Sequence, residues 1–274
     1  MDGGAFERVL GEWLSRTGLK PEGSLEPLAV NGKTLRGIHG EEIPEVHLSA
    51  VYALHSDVVL SQMTAGGKGT EGTEGTELNA VKGALAAVDL TGKIVIGDAL
   101  QTQRDVCEQI VAGGGDDFFP VRDNQPTLLR DLEDAWRMPF PPLNLKLRAG
   151  ESGQEILAGL RREWEESGAV YTHGRDLSKG HERVEEREVW ALSDPEMNAY
   201  AGSAGSHGKA WPYLGQIACI KRQRTLKRQR TLKRETYVEG VYVEGVYLVS
   251  SAPSSRADAR QLLEWNRSYT NPVE

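Results

Sequence analysis

Cysteine is scarce: Cys107 and Cys219 are the only two in 274 residues, in unrelated contexts. Two isolated thiols exclude a disulfide framework and a cysteine-based zinc site. Long apolar runs are missing too; none approaches the roughly 18 residues of a membrane-spanning helix. Residues 1–10 lack a basic stretch followed by an apolar one, so no secretory signal is expected. Together these absences point to a protein of a reducing compartment, without a membrane partner, and set aside secreted and membrane-spanning readings.

What is present fits a globular chain. Hydrophobic residues make up 39% and charged residues 26%, and the length suits one or two domains. The net charge of −8 is unevenly spread. Residues 221–234 read KRQRTLKRQRTLKR, with eight Lys or Arg and no acid, which leaves −16 on the rest of the chain. Such a run marks either a polyanion contact or a solvated basic loop. It is also a tandem copy of KRQRTL. VEGVY is duplicated shortly after it, and residues 70–77 read TEGTEGTE. These copies lack the fixed period of a solenoid. They read as small duplications inside a unique sequence, which lowers the weight of the basic run.

Periodicity predicts a helix over 5–16, a short buried strand over 28–30 closed by a turn at Asn31-Gly32, and two strands over 47–63 turning at 55–57. A helix over 78–89, a strand at 93–96, a helix over 102–112 closed by three glycines, a strand at 118–121 and a helix over 126–136 follow. This order implies a mixed sheet with helices packed on it. Residues 139–180 carry no clear pattern. Residues 182–192 alternate as an exposed strand, 214–220 and 236–250 add strand material, and a last helix spans 256–265.

Asp98 follows the apolar run IVI, with Gly97 between them. A carboxylate at a strand end is either held there for chemistry or caps the next helix. Asn31 directly follows the apolar run LAV in a similar way. Its continuation, NGKT, lacks the opening glycine of a phosphate-binding loop. His173, His181, Arg183 and Glu185 lie close in THGRDLSKGHERVE, which reads as a polar surface loop rather than a metal site, because no known ligand spacing is present.

Four segments taken in order, AVNGKTLRG, HLSAVYALHSDVVLSQM, GKIVIGDALQTQRDVCEQIVAGGGDDFFPVRDNQPTLL and KGHERVEEREVWAL, resemble the ISAs-type insertion-sequence transposases of bacteria, DDE enzymes with an RNase H-like fold. The resemblance implies an α/β chain: an N-terminal remnant over 1–27, then an RNase H-like domain over 28–274, a mixed sheet flanked by helices. A β-rich insertion at about 137–235 and an incomplete C-terminal catalytic helix belong to the same reading. It implies DNA cleavage and strand transfer through two Mg²⁺ or Mn²⁺ ions held by three carboxylates. Carried onto this chain, the second acid is Asp98, and the first position holds Asn31 where the family has Asp. The third falls at Glu274, past Pro272. The metal ligands are then Asp98 and Asn31, and the amide is a neutral ligand where the family has a charged one. Expected DNA contacts are Lys33, Arg36, Lys221, Arg222, Arg224, Lys227, Arg228 and Arg230. The implied partners are the element's terminal inverted repeats, target DNA and further copies of the chain, at the bacterial nucleoid in the cytoplasm. Family members carry further sequence at both ends, so the chain is expected to be a truncated or decayed copy, with an inactive, DNA-binding or inhibitory fragment as the alternative.

Overall fold

The computed structural model describes residues 25–35, 46–65, 77–137, 162, 166, 168–180, 183–194, 211–226, 230–231, 234–235 and 241–270. The expected helix over 5–16 lies outside them. The chain divides into two compact units, residues 1–120 with 268–274, and residues 121–267.

The first unit is α/β. Its strands β1 (Glu26–Leu35), β2 (Val46–Ala53), β3 (Val58–Ala65), β4 (Lys93–Ile96) and β5 (Asp116–Val121) are ordered β3-β2-β1-β4-β5. β1, β4 and β5 run parallel, whereas β1–β2 and β2–β3 are antiparallel. Helices α1 (Glu77–Ala86) and α2 (Arg104–Ala112) supply the crossovers that parallel strands require. All four residues of β4 are buried, as expected for a parallel strand covered on both faces. Leu28, Val30, Ile94, Phe118 and Phe119 are fully buried around it. Each such side chain contributes about 1.5–3 kcal/mol. α1 adds Ala80, Val81, Ala84 and Leu85, and α2 adds Val106, Cys107 and Ile110. Burial pushes the Cys107 thiol far above its ordinary range. After α2, Gly114 takes φ +81°, a left-handed conformation that glycine adopts without cost.

Two expectations are corrected here. The turn expected at Asn31-Gly32 is not formed: β1 runs on to Leu35, because Asn31 and Gly32 pair with Ala50 and Ser49 of β2. Pairing along the ladder overrides the local turn preference. The helix expected from 102 begins at Arg104, preceded by a 3-10 turn over Ala99–Gln101.

The second unit is an antiparallel sheet with helices. Strands β6 (Val170–Gly180), β7 (Arg183–Ser193), β8 (Gln216–Leu226) and β11 (Val241–Ser250) are ordered β11-β8-β7-β6. Between β8 and β11, two-residue strands β9 (Arg230–Thr231) and β10 (Arg234–Glu235) pair with each other. The segment expected to be a polar loop, around His173 and Glu185, is the β6–β7 hairpin. β7, expected to be exposed, buries Glu185, Arg187 and Val189 at alternate positions and then Trp190, Ala191 and Leu192. Helices α3 (Pro126–Arg137) and α4 (Ala259–Thr270) complete the described elements. α4 opens with a reciprocal cap, Gln261 N to Asp258 Oδ1 at 2.9 Å and Asp258 N to Gln261 Oε1 at 3.0 Å. It lies close on β6: a Cβ at Gly174 would come within 3.2 Å of the Arg260 Cα. The Ala259 N–H donates to Thr172 Oγ1 at 3.0 Å.

Candidate functional site

The site is built on β1 and β4. Their parallel register pairs Ala29 with Ile96. Asn31 and Asp98 therefore stand at equivalent positions, each two residues beyond that pair. Both are exposed. Asp98 sits where β4 ends, with backbone φ −89° and ψ −177°. Its Oδ1 accepts from the Leu100 N–H at 2.8 Å, while the Asp98 N–H donates to Gln101 Oε1 at 2.8 Å. This capping box closes the 3-10 turn and fixes the carboxylate at the strand end. Gln101 is 1% exposed, packed beside Gly97. A Cβ at Gly97 would approach Phe119 Cε1 at 3.0 Å and Gln101 Oε1 at 3.1 Å, so a larger residue here would have to displace these side chains. The two readings of Asp98 are thus compatible: it caps, and its carboxylate is exposed at the end of a buried strand.

Two further groups belong to this neighbourhood, and sequence reasoning missed both. The Glu77 carboxyl lies against Gly32; a Cβ on Gly32 would meet its Cδ at 2.8 Å. Glu77 closes the TEGTEGTE stretch, and nothing in that repeat marks its last acid. Tyr269 places its hydroxyl 3.5 Å from the Val30 carbonyl, to which it donates. Burial raises the phenol's pKa, and the negative charges of Asp98 and Glu77 raise it further. No local pattern marks Tyr269, whose partner Val30 lies far away in the chain. Among the described residues, no group of three or more His, Cys, Asp and Glu side chains is placed to hold a metal ion.

The other expected residues divide as follows. Lys33 lies in β1. Lys221, Arg222 and Arg224 lie in β8, and Arg230 in β9. Arg36, Lys227, Arg228, His181 and Glu274 fall outside the described residues. Arg222 and Arg224 both pair with Glu185. His173 stacks on Trp190 with ring centroids 5.6 Å apart, and its Nε2 lies 3.7 Å from Glu188. No described helix is long and apolar enough to cross a membrane.

No known protein family's sequence profile matches the chain. It is similar to curated bacterial proteins. The "H repeat-associated putative transposase YhhI" of Escherichia coli K12 is 29% identical over 119 residues, which is 43% of this chain and 29% of that protein. The "H repeat-associated putative transposase YbfD" of the same strain is 28% identical over 119 residues, 43% of this chain and 44% of that protein. An "Uncharacterized protein in dhlA 3'region" of Xanthobacter autotrophicus is 22% identical over 227 residues, 82% of this chain and 63% of that protein. The chain therefore spans less than half the length of the Escherichia coli relatives. A crystal structure of endonuclease V from Streptomyces avermitilis matches at 13% identity, over 94% of this chain and 82% of that one, with a TM-score of 0.29, too slight a likeness to bear on the fold. Two of these three relatives are thus named as putative transposases.

Proposed function

We propose that this chain is an insertion-sequence transposase of the ISAs type whose catalytic centre has degenerated. One observation carries the reading: Asn31 and Asp98 stand at matched positions past the Ala29–Ile96 pair of two adjacent parallel strands. Asp98 stands past the end of β4, where functional groups of a mixed sheet gather, and Asn31 lies within β1 just beyond its pairing with β4. The family's first and second acids fall on these two positions. The mixed sheet of the first unit, with α1 and α2 as crossovers, supports an RNase H-like fold, and the names of the relatives support the class.

On this reading, divalent ions such as Mg²⁺ or Mn²⁺ would supply Lewis-acid chemistry at a phosphodiester, and Asp98 and Asn31 are the residues that would hold them. Here Asp98 offers a carboxylate oxygen and Asn31 an amide oxygen. One charged and one neutral donor do not fit a pair of dications, which are held by several carboxylates. The chain's own residues still fix Asp98 firmly, through Leu100 and Gln101. Its substrates on this reading are the terminal inverted repeats of its element and target DNA. It assembles as a homo-oligomer on DNA in the cytoplasm.

A second reading is an inactive DNA-binding protein that inhibits intact copies. The amide at position 31 favours it. Nicking of supercoiled plasmid in Mn²⁺ separates the two. A degenerate enzyme nicks weakly, loses that activity in Asp98→Ala and gains activity in Asn31→Asp. If Asn31→Asp nicks no faster than the parent, the two residues do not share a reacting centre and the first reading falls. Salt-sensitive DNA binding with no nicking in either protein leaves the second.

A further inference from the structure

A carboxylate in the middle of β7 gathers three guanidinium groups. The β7–β8 register sets Glu185 across from Arg224 and Arg187 across from Arg222. Opposed residues and residues two apart share a face of a sheet, so all four side chains converge. Arg222 donates from Nε at 2.8 Å to Glu185 Oε1 and from Nη2 at 2.9 Å to Oε2, a fork on the carboxylate. Arg224 donates from Nε to Oε2 at 3.3 Å. Arg187 pairs with Oε1 through Nη2. The cluster is closed at one end and open at the other. Glu185 and Arg187 side chains are 6% and 4% exposed, against 20% for Arg222 and 37% for Arg224.

One negative charge faces three positive ones. Arg187 Nη1 is buried and has no hydrogen-bond partner among the described residues. The neighbouring strands offer Glu244, across from Arg222, and Asp176, across from Arg187. Asp176 itself pairs with Arg267 at 2.7 Å. Even with Glu244 counted against it, the cluster keeps one positive charge, three arginines against two glutamates, and it presents that charge through two part-exposed guanidinium groups held in place. Lys221, though in the same basic run, stands on the other face of β8, across from Glu188.

We propose that Arg222 and Arg224 contact phosphodiester groups of a DNA backbone, with Glu185 as the residue that positions them and Arg187 as a buried source of positive charge beneath. The inference rests on the reading of the chain as a DNA-handling protein. The recognition chemistry is that of a planar guanidinium on a phosphate. Holding the arginines on Glu185 removes part of the ordering cost before DNA arrives. Sequence alone treats the whole run as one basic patch; the register instead selects alternate residues on one face.

The test is duplex binding by the full chain, read by fluorescence anisotropy across about 50–200 mM salt. Arg222→Gln with Arg224→Gln is expected to weaken binding and to lower the salt slope by about 2, at roughly 0.9 per phosphate contact. Arg222→Lys keeps the charge and loses the fork, so affinity is expected to drop several-fold in a folded protein. Arg175→Gln, at an exposed arginine across from Glu188 on the other face of the sheet, is expected to leave both affinity and slope near the parent's. An unchanged slope in the double variant overturns the inference, as does an equal loss in Arg175→Gln. Thermal stabilisation by inorganic phosphate that needs both arginines, with the DNA slope unchanged, assigns the cluster to a small anion and also overturns it. If the parent chain binds no duplex, the DNA-handling reading fails and takes this inference with it. If the parent binds and Asp98→Ala binds equally, a failure of the arginine variants to differ is a failure of the inference alone.

Discussion

The two units use charge in opposite ways. In the first, the candidate site's acid stands at the end of a strand, exposed, and the three residues of β4 nearest to it, Ile94, Val95 and Ile96, are apolar. In the second, Glu185 stands within a strand, buried, and answers to arginines on its own and the adjacent strand. The difference follows from sheet type. Parallel strands here are covered on both faces, so polar chemistry is pushed to their ends. Antiparallel strands meet side by side along their length, so charged residues pair across the ladder. An exposed strand-end acid contributes little to stability and is free for a ligand. A buried one must be paired or the fold suffers.

Removing the buried carboxylate breaks that contrast most sharply. Glu185→Ala leaves Arg187 buried without its anion, at a cost expected to be at least about 3 kcal/mol by urea unfolding. Replacing Glu185 and Arg187 together with Leu and Met is expected to recover most of that loss, because an apolar pair has no charge to desolvate. If the single variant loses less than about 1 kcal/mol, the arginines are held by something other than Glu185.

The same residue predicts an acid limb. Burial works against ionisation of Glu185, but the Arg222 hydrogen bond and the charges of Arg187, Arg222 and Arg224 outweigh it and hold its pKa below 4.5. A lowered carboxylate pKa adds stability that is complete above the unfolded value and lost as pH falls through the folded one. Unfolding followed from pH 6 down to pH 3 is expected to show this loss in the parent and a flatter profile in Glu185→Gln, relative to its own value at pH 6. Equal slopes in the two proteins refute the pairing.

At the strand end the expected cost is smaller. Asp98→Ala loses one cap, about 1 kcal/mol or less. Stabilisation by Mn²⁺, read as a rise in Tm, is expected to be slight in the parent, absent in that variant and larger in Asn31→Asp. A cost at Asp98 matching that at Glu185 erases the comparison between the units.

This contrast also explains what could be read from the sequence. The run KIVI followed by Gly-Asp is legible because a buried parallel strand is continuous and apolar, and the acid after it has no place inside. The hairpin of β2 and β3 was legible from its alternation and from the turn around Asp57, which has φ +59°. The β6–β7 hairpin was not. Its inward positions include Asp176, Glu185 and Arg187, so the periodicity of burial is hidden under residues that read as surface. β1 was cut short because an Asn-Gly pair signals a turn, and only the partner strand reveals that both residues belong to the ladder. Asp98 was found because its signal is local. Glu77, Tyr269 and Arg187 were missed because their roles depend on contacts 30 or more residues away or on register, and no local pattern encodes either.

The smallest expected effect tests whether the first unit's groups form one site. Burial, then the charges of Asp98 and Glu77, raises the Tyr269 pKa above its ordinary 10.0. The fold therefore favours the neutral phenol. Stability from this shift is complete below about pH 10 and is lost as pH rises further through the folded value. Tyr269→Phe removes that term, so the parent is expected to lose more stability than the variant between pH 9 and pH 11, with the two close together at pH 7. Asp98→Asn and Glu77→Gln each remove one of the charges that oppose ionisation. In either background, the alkaline difference between Tyr and Phe at position 269 is expected to shrink. If it is unchanged in both, Tyr269 responds to burial alone, and the two carboxylates do not act on a common neighbourhood where the β1–β4 pairing stops.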